Sequence, residues 1–414
     1  MIKVTYYYSA CVAITTPDVS ILCDPWFTDG IYDGSWYQYP KIQNPIELIG
    51  KHDIIYVSHI HPDHYDPKFL KEYLKVYPDA EVMIAPGIFL DKKMDADGIK
   101  YNVRNDLVED CSTFISIVKN DTGSISDIDT ALVVEYDGCA VVNLNDNQYY
   151  QPQIDAIKEL APNIDIALIG HTGAGPYPQT YYKDTDILKE KAEEKKQLFF
   201  DRYADMADAL GAKVDIPFAG QYVLGGRLAY LNDYRGVSDA VEILEFDDKA
   251  VVLEEGASIS TDTLTPTAVR TEPFDKWDMR VYASGLNDPM DYMKDFKYLD
   301  AHKIPWGKLL HKAAQNAFDK SEYDGEYYAI IIRFADKQYV CNLHGRFSDF
   351  KSTDDDYEGY EPYSLIEIDY RYLFGLLTGV YHWNNAEVGS QYMTTRVPDV
   401  YNRSVQRFLN FFTV

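Results

Sequence analysis

Basic residues are scarce in this chain of 414 residues: 39 Lys and Arg stand against 66 Asp and Glu, a formal charge of −27. That balance argues against a nucleic-acid groove or an anionic membrane surface, because phosphate would meet repulsion where binding needs counterion release. A small ligand held by a local site remains compatible with it. No apolar run is long enough to span a bilayer. The opening MIKVTYYYSACVAI alternates like a strand and lacks the charged lead and unbroken apolar core of a signal peptide. Cysteine is sparse too: Cys11, Cys23, Cys111, Cys139 and Cys341 are odd in number, scattered, and mostly inside strand-like text. That usage suits reduced core thiols and a cytoplasmic protein. Internal repeats and low-complexity segments are absent. What is present, 46% hydrophobic residues in regular runs, makes a folded protein. Its length exceeds one ordinary core, so a large domain plus a smaller one is expected.

Strand-like runs dominate the early chain, and helical periodicity is interleaved later. VTYYYSACVAI and VSILCDPW read as strands parted by Thr-Pro-Asp turn chemistry, and FTDGIYDGSWYQYP as a long ordered loop. Pro67 to Leu74 reads as a helix, Ala80 to Ala85 as a strand, and TALVVEY, CAVVNLND and IDIALIG as further strands, with a helix from about Pro152 to Leu160. The longest helix is predicted over Asp186 to Leu210, where Leu188, Ala192, Phe199, Tyr203, Met206 and Leu210 recur at helical steps and Gly211 supplies a stop. That stripe is core packing. A boundary is expected between about Ser258 and Trp277, dividing residues 1–265 from a C-terminal α+β domain over 275–414. The acidic run Asp354-Asp355-Asp356 reads as a solvated loop. The whole is a mixed α/β layering, with sheets inside and helices outside.

The nine histidines are unevenly spent. Three fall within SHIHPDHYDP at 58–67, after the apolar run Ile54-Ile55-Tyr56-Val57. Imidazole and carboxylate together are the ligand set for zinc and for non-haem iron or manganese. His59 and His61 are two apart and face the same way if the strand extends through them. Asp63 and His64 follow where the chain must turn, and can serve an adjacent metal, so H-x-H-x-D-H makes a plausible half of a binuclear site. The competing reading is a set of surface histidines with turn aspartates.

This motif, preceded by Asp24-Pro25-Trp26, resembles the metallo-β-lactamase fold, an αββα sandwich with metals at one edge of two packed sheets. The resemblance implies that the spaced histidines serve one metal, Asp63 and His64 the second, and a later bridging Asp closes a strand, which points to Asp146. DPWFTDGIYDGSWYQYP, VEYDG, GHTGAGPYPQTYY, EEKKQLFFDRYADMADAL, IPFAGQYV and HWNNAEVGSQYMTTRVPDVYNRSVQRFLNFF are similar to the non-Rieske part of the CMP-N-acetylneuraminate and UDP-N-acetylmuramate hydroxylase family. The strands leading into YRYLFGLLTGVYHW resemble a sterol-carrier-protein type 2 domain.

Two departures bear on mechanism. No histidine lies between His64 and His171, so the third imidazole expected of a family hydrolase is missing. Asp121 in VKNDTG is a candidate substitute. At the expected final ligand stands Ile216-Pro217-Phe218-Ala219-Gly220, with no donor, and His171 is either a ligand from a neighbouring loop or a structural histidine in a Gly-rich turn. A carboxylate-rich site leans from zinc towards iron or manganese. The paired Cys and His motifs of a Rieske cluster are also absent.

The resemblance therefore implies a cofactor of two divalent metals, iron or zinc with manganese possible, and a small-molecule substrate, an N-acylated nucleotide sugar. An oxygenase would take electrons from a separate Rieske or ferredoxin-type donor. The alternatives are a metal-water hydrolase, with Asp63 orienting or deprotonating the water, and a sandwich that only binds. Gly170 to Gly175 could cradle a phosphate or be a plain turn. Arg396 to Tyr401 could serve the site or clamp the domains together. His344 and His382 are taken as structural.

Overall fold

The computed structural model describes every residue except 88, 105–111, 123–126, 287–289, 324, 345–349 and 354–358. Cys111 and the acidic run at 354–356 lie outside the described residues. The other four cysteines are free thiols, and three of them are buried.

Two sheets carry the first domain. One has seven strands in the order Ser258–Ser260, Lys3–Tyr8, Cys11–Thr15, Ser20–Cys23, Ile54–Tyr56, Glu81–Ile84 and Asn102–Val103. The other has five, in the order Val214–Phe218, Ile166–Gly170, Cys139–Asn143, Thr130–Tyr136 and Thr113–Lys119. Strand alternation sets the layers. In Thr130–Tyr136, Leu132 and Val134 join the core shared with the first sheet, whereas Ala131 and Val133 pack outward against Ile154, Ile157, Tyr203 and Met206. Those four belong to the helices Gln151–Leu160 and Thr185–Leu210, which cover the outer face. Gly211 closes the longer helix in the left-handed conformation, at φ 63°. Pro67–Val76 buries Phe69, Leu70 and Tyr73 in the large core.

The expected boundary runs through ordered structure. Ser258–Ser260 pairs antiparallel with Lys3–Thr5, and Leu253 bridges to Val269. Beyond it, a sheet in the order Lys351–Ser352, Lys337–Leu343, Tyr328–Phe334, Tyr363–Glu367 and Met393–Val397 combines with the helices Trp306–Ser321, Tyr370–Leu377 and Arg403–Asn410. The two parts are joined tightly. The Arg396 guanidinium lies 4.3 Å from the centre of the Tyr181 ring, Tyr182 donates to Asp399, and Thr394 N–H donates to Thr180 O at 2.9 Å. The segment from Arg396 to Asp399 thus packs against Tyr181 and Tyr182. His382 caps the helix Trp383–Val388 by accepting from Asn384 N–H. In the Gly-rich turn, a Cβ on Gly173 would fall 1.9 Å from the tip of the half-buried Phe199 ring, which would have to shift to admit a side chain.

Candidate metal centre

Topology brings the acidic and imidazole groups to one edge. Ser20–Cys23 and Ile54–Tyr56 are parallel neighbours, so Asp24 and the histidine motif leave their sheet on the same side. In the second sheet Cys139–Asn143 ends towards Asp146, while its antiparallel partner Thr130–Tyr136 begins there, directly after Asp129. Thr130 ties the sheets across this edge: its hydroxyl donates to Ser58 O at 2.9 Å and lies 2.6 Å from the Tyr56 phenol. Asp24 and Asn145 hold left-handed backbone, φ 42° and 50°. Strain of this kind at a non-glycine residue persists only where surrounding contacts over-determine it.

Two overlapping groups of donors result. His59, His61 and Asp129 have ligand atoms all within 4.8 Å of one another, and so do His59, His64 and Asp146. His59 Nε2 lies 2.8 Å from His61 Nδ1 and 3.5 Å from Asp129 Oδ1. His64 Nε2 lies 3.4 Å from Asp146 Oδ2 and 3.6 Å from Asp63 Oδ2. Neighbouring side chains orient the rings. Ser58 Oγ lies 2.9 Å from His59 Nδ1, and the wholly buried Asp24 lies 2.8 Å from His64 Nδ1. With Nδ1 engaged, each ring presents Nε2 to the centre, the arrangement by which carboxylates fix metal-binding histidines. Asp63 is held from its other side: Tyr32 donates to its Oδ1 at 2.6 Å.

The electrostatics fit a cation. Burial, then the neighbouring His64 and His61, push His59 well below the ordinary histidine range. Burial likewise lowers His61. Burial opposes charge on His64 too, yet Asp146, Asp63 and Asp24 together hold it well above the ordinary range. Burial, reinforced by Asp146, raises Asp129 to about 7. Four carboxylates and three imidazoles within one small volume, all nitrogen and oxygen donors, suit zinc, iron or manganese. The first ion would take His59, His61 and Asp129; the second would take His64, Asp146 and Asp63.

Residues 3–190 match the family described as the β-lactamase superfamily domain. That stretch, somewhat under half of the chain, resembles a β-lactamase superfamily domain. A protein from Mycolicibacterium smegmatis named as a Rieske 2Fe-2S iron-sulfur protein is 29% identical over 57% of this chain and 46% of its own length. The chain spans about half the length of such mycobacterial relatives. Cytidine monophosphate-N-acetylneuraminic acid hydroxylase of Xenopus laevis is 23% identical over 100% of this chain and 72% of that protein. Among solved structures, a metallo hydrolase from Ignicoccus hospitalis is 18% identical, with a TM-score of 0.42 over 62% of this chain and 97% of that one. CmlA, a diiron β-hydroxylase from Streptomyces venezuelae, is 15% identical, with a TM-score of 0.37 over 57% and 47%.

Of the residues singled out from sequence, His59, His61, Asp63, His64 and Asp146 meet at this edge. Asp121 and His171 do not join either donor group. Asp121 is exposed on the outer limb of the hairpin and accepts from the Tyr150 phenol through its backbone carbonyl. The carboxylate facing His59 is Asp129, on the inner limb. His171 is buried, with Nδ1 3.1 Å from Phe218 O, and lines a separate cavity. Sequence reasoning missed Asp129, Ser58 and Tyr32. An acid immediately before an apolar strand was the only trace of Asp129.

Proposed function

We propose that this chain is the metal-bearing part of a hydroxylase acting on an N-acylated, nucleotide-activated amino sugar, with electrons from a separate Rieske or ferredoxin-type protein. The observation that carries this reading is Asp129 standing against His59 and His61 where a third imidazole would suit a zinc hydrolase. Two histidines and a carboxylate favour iron. The names of the relatives supply the substrate class. A bound iron pair would supply the redox chemistry of oxygen activation, whereas zinc would supply a nucleophilic water.

The chain's own residues do the rest. Asp24 and Ser58 fix the rings of His64 and His59. Tyr32 engages one Asp63 oxygen, leaving the other turned to His64, where Asp63 can orient or accept a proton from a bound water. The burial of His59, His64 and Asp24 keeps bulk water from the inner side.

Metal content by inductively coupled plasma measurement, on protein purified without chelator, tests the proposal together with turnover of cytidine monophosphate-N-acetylneuraminic acid. Two irons per chain and a reductant-dependent product carrying one more oxygen are expected. Zinc with reductant-independent hydrolysis of an ester, amide or phosphodiester would replace it with the hydrolase reading. Little metal and no turnover would leave a binding protein.

A further inference from the structure

A cavity of about 440 Å³ lies apart from the metal centre, and none of His59, His61, Asp63, His64, Asp129 or Asp146 lines it. Its wall is built from the end of the strand Val214–Phe218, the helix Thr185–Leu210 and the chain around residues 232–242. The volume falls within the roughly 300–1,000 Å³ of small-molecule sites. Phe218, Tyr222, Val252 and Phe274 give it an apolar, aromatic lining.

One buried cation lines this wall, and a second is hydrogen-bonded to its backbone carbonyl. Arg235, 4% exposed, lines the cavity with its guanidinium 4.2 Å from the centre of the Tyr222 ring. Its Nη2 donates to Tyr222 O at 2.9 Å, while Nε and Nη1 have no hydrogen-bond partner among the described residues. Lys195, 9% exposed, donates to the carbonyls of Arg235 and Tyr177, each at 2.9 Å. Burial, with Arg235 beside it, pushes the Lys195 amine down to about 7. Burying a charge without an opposite partner is costly, and this chain, with 66 acids, does not lack partners to offer. The acids at the cavity are mostly engaged already: Asp239 with Arg270 at 2.7 Å, Glu242 with Lys196 at 3.1 Å and Asp233 with Arg280 at 2.9 Å. Glu193 shares Lys196 with Glu242 at 3.1 Å, and Glu255 also lines the cavity, as do the exposed Lys189 and Lys276, so that six basic side chains stand against five acids. The unmatched charge of the cavity is positive.

We infer that this cavity binds a small organic anion, with an acidic headgroup drawn to the Arg235 end and an aromatic or otherwise apolar body against Tyr222 and Phe218. A guanidinium over a ring suits a planar anion on both counts, charge and stacking. A run of three packed rings leads from this site to the metal centre. Tyr222 stacks on Trp36, centroids 3.3 Å apart and planes 5° apart, and Trp36 packs on Tyr32 at 4.5 Å. The inference goes beyond the hydroxylase proposal and does not depend on it.

The test is a fluorescence titration of the full chain with 8-anilinonaphthalene-1-sulfonate, an aryl anion, with and without prior chelation of metal. Naphthoate and the neutral naphthalenemethanol serve as competitors. Saturable one-site binding is expected, equal before and after chelation, with the near-ultraviolet dichroism of the native protein retained. Naphthoate should displace the probe at about ten-fold lower concentration than the alcohol. Arg235→Gln should weaken binding about ten-fold, and Ala240→Trp, at the half-buried wall, should block it. Equal competition by acid and alcohol, wild-type binding by both variants, no saturable binding, or loss of binding on chelation would each overturn the inference. Should Arg235→Gln fail to fold, the competitor pair and Ala240→Trp still decide it.

Discussion

The Tyr32 phenol donates to Asp63 Oδ1 at 2.6 Å from a segment that could not hold that position alone. Tyr32 and Asp33 are consecutive non-glycine residues in the left-handed region, at φ 53° and 61°, a conformation costing roughly 1–2 kcal/mol per residue. Residues far along the chain brace them. The buried Gln391 amide donates to Tyr32 O at 3.1 Å and Asp33 O at 3.3 Å, and Tyr372 donates to Asp33 Oδ2 at 2.5 Å. Gly389 allows this approach, since a Cβ there would sit 3.0 Å from Tyr32 O. Every residue that meets at the metal centre precedes position 147, yet the phenol that orients one of them is held from position 391.

Tyr32→Phe is accordingly expected to weaken the second metal site by about 10–100-fold while sparing the first, the usual cost of losing an orienting partner. Gln391→Ala should act in the same direction and more weakly. Titration with cobalt, read by its visible absorption, distinguishes two steps of binding. Unchanged affinities at both steps in both variants would show that the Tyr32 bond is only packing.

Asp63→Ala is expected to lower turnover on the order of 10²-fold or more, with little change in melting temperature. Helix capping belongs instead to Asp66, which accepts from Phe69 N–H and also from Phe27 N–H and Thr28 N–H. Asp66→Ala should therefore cost about 1–3 kcal/mol of stability. Full activity with a lowered melting temperature in the Asp63 variant would reverse these roles.

Asp129→Asn should remove about one equivalent of bound metal per chain, whereas Asp121→Asn should bind as wild type. Elemental analysis of both proteins, prepared in parallel, checks this. Retention of both equivalents by Asp129→Asn would shift attention to another carboxylate.

Glu387 provides a pH test away from the metal. Burial raises its carboxyl to about 7, opposed by the Tyr181 hydrogen bond and Arg396. Its folded value exceeds the unfolded one, about 4.3, so the native state binds more protons between these values. The resulting stability is fully present below about pH 4 and is lost as pH rises through 7. Glu387→Gln should erase that loss, gaining on the order of 2 kcal/mol on wild type between pH 5 and 8, its partial exposure discounted. Denaturant unfolding at both pH values measures it. Parallel slopes for the two proteins would refute the prediction.

The sequence by itself determined the layers and half of the centre. Alternation in TALVVEY, the helical stripe ending at Gly211 and the crowding of His59, His61, Asp63 and His64 are local properties, fixed by the periods of strand and helix and by short-range spacing. Asp146 was within reach because a strand end and turn mark it. Tertiary structure alone decided that Asp129 rather than Asp121 faces His59, since both flank the same hairpin and only strand pairing says which limb lies inside. The same holds for Tyr32, whose left-handed backbone no local preference favours and whose brace comes from 359 residues away. His171 shows the converse: strand-end position brought it near the edge, but its ring turned to the Phe218 carbonyl, because a buried imidazole takes the nearest partner that satisfies its nitrogen.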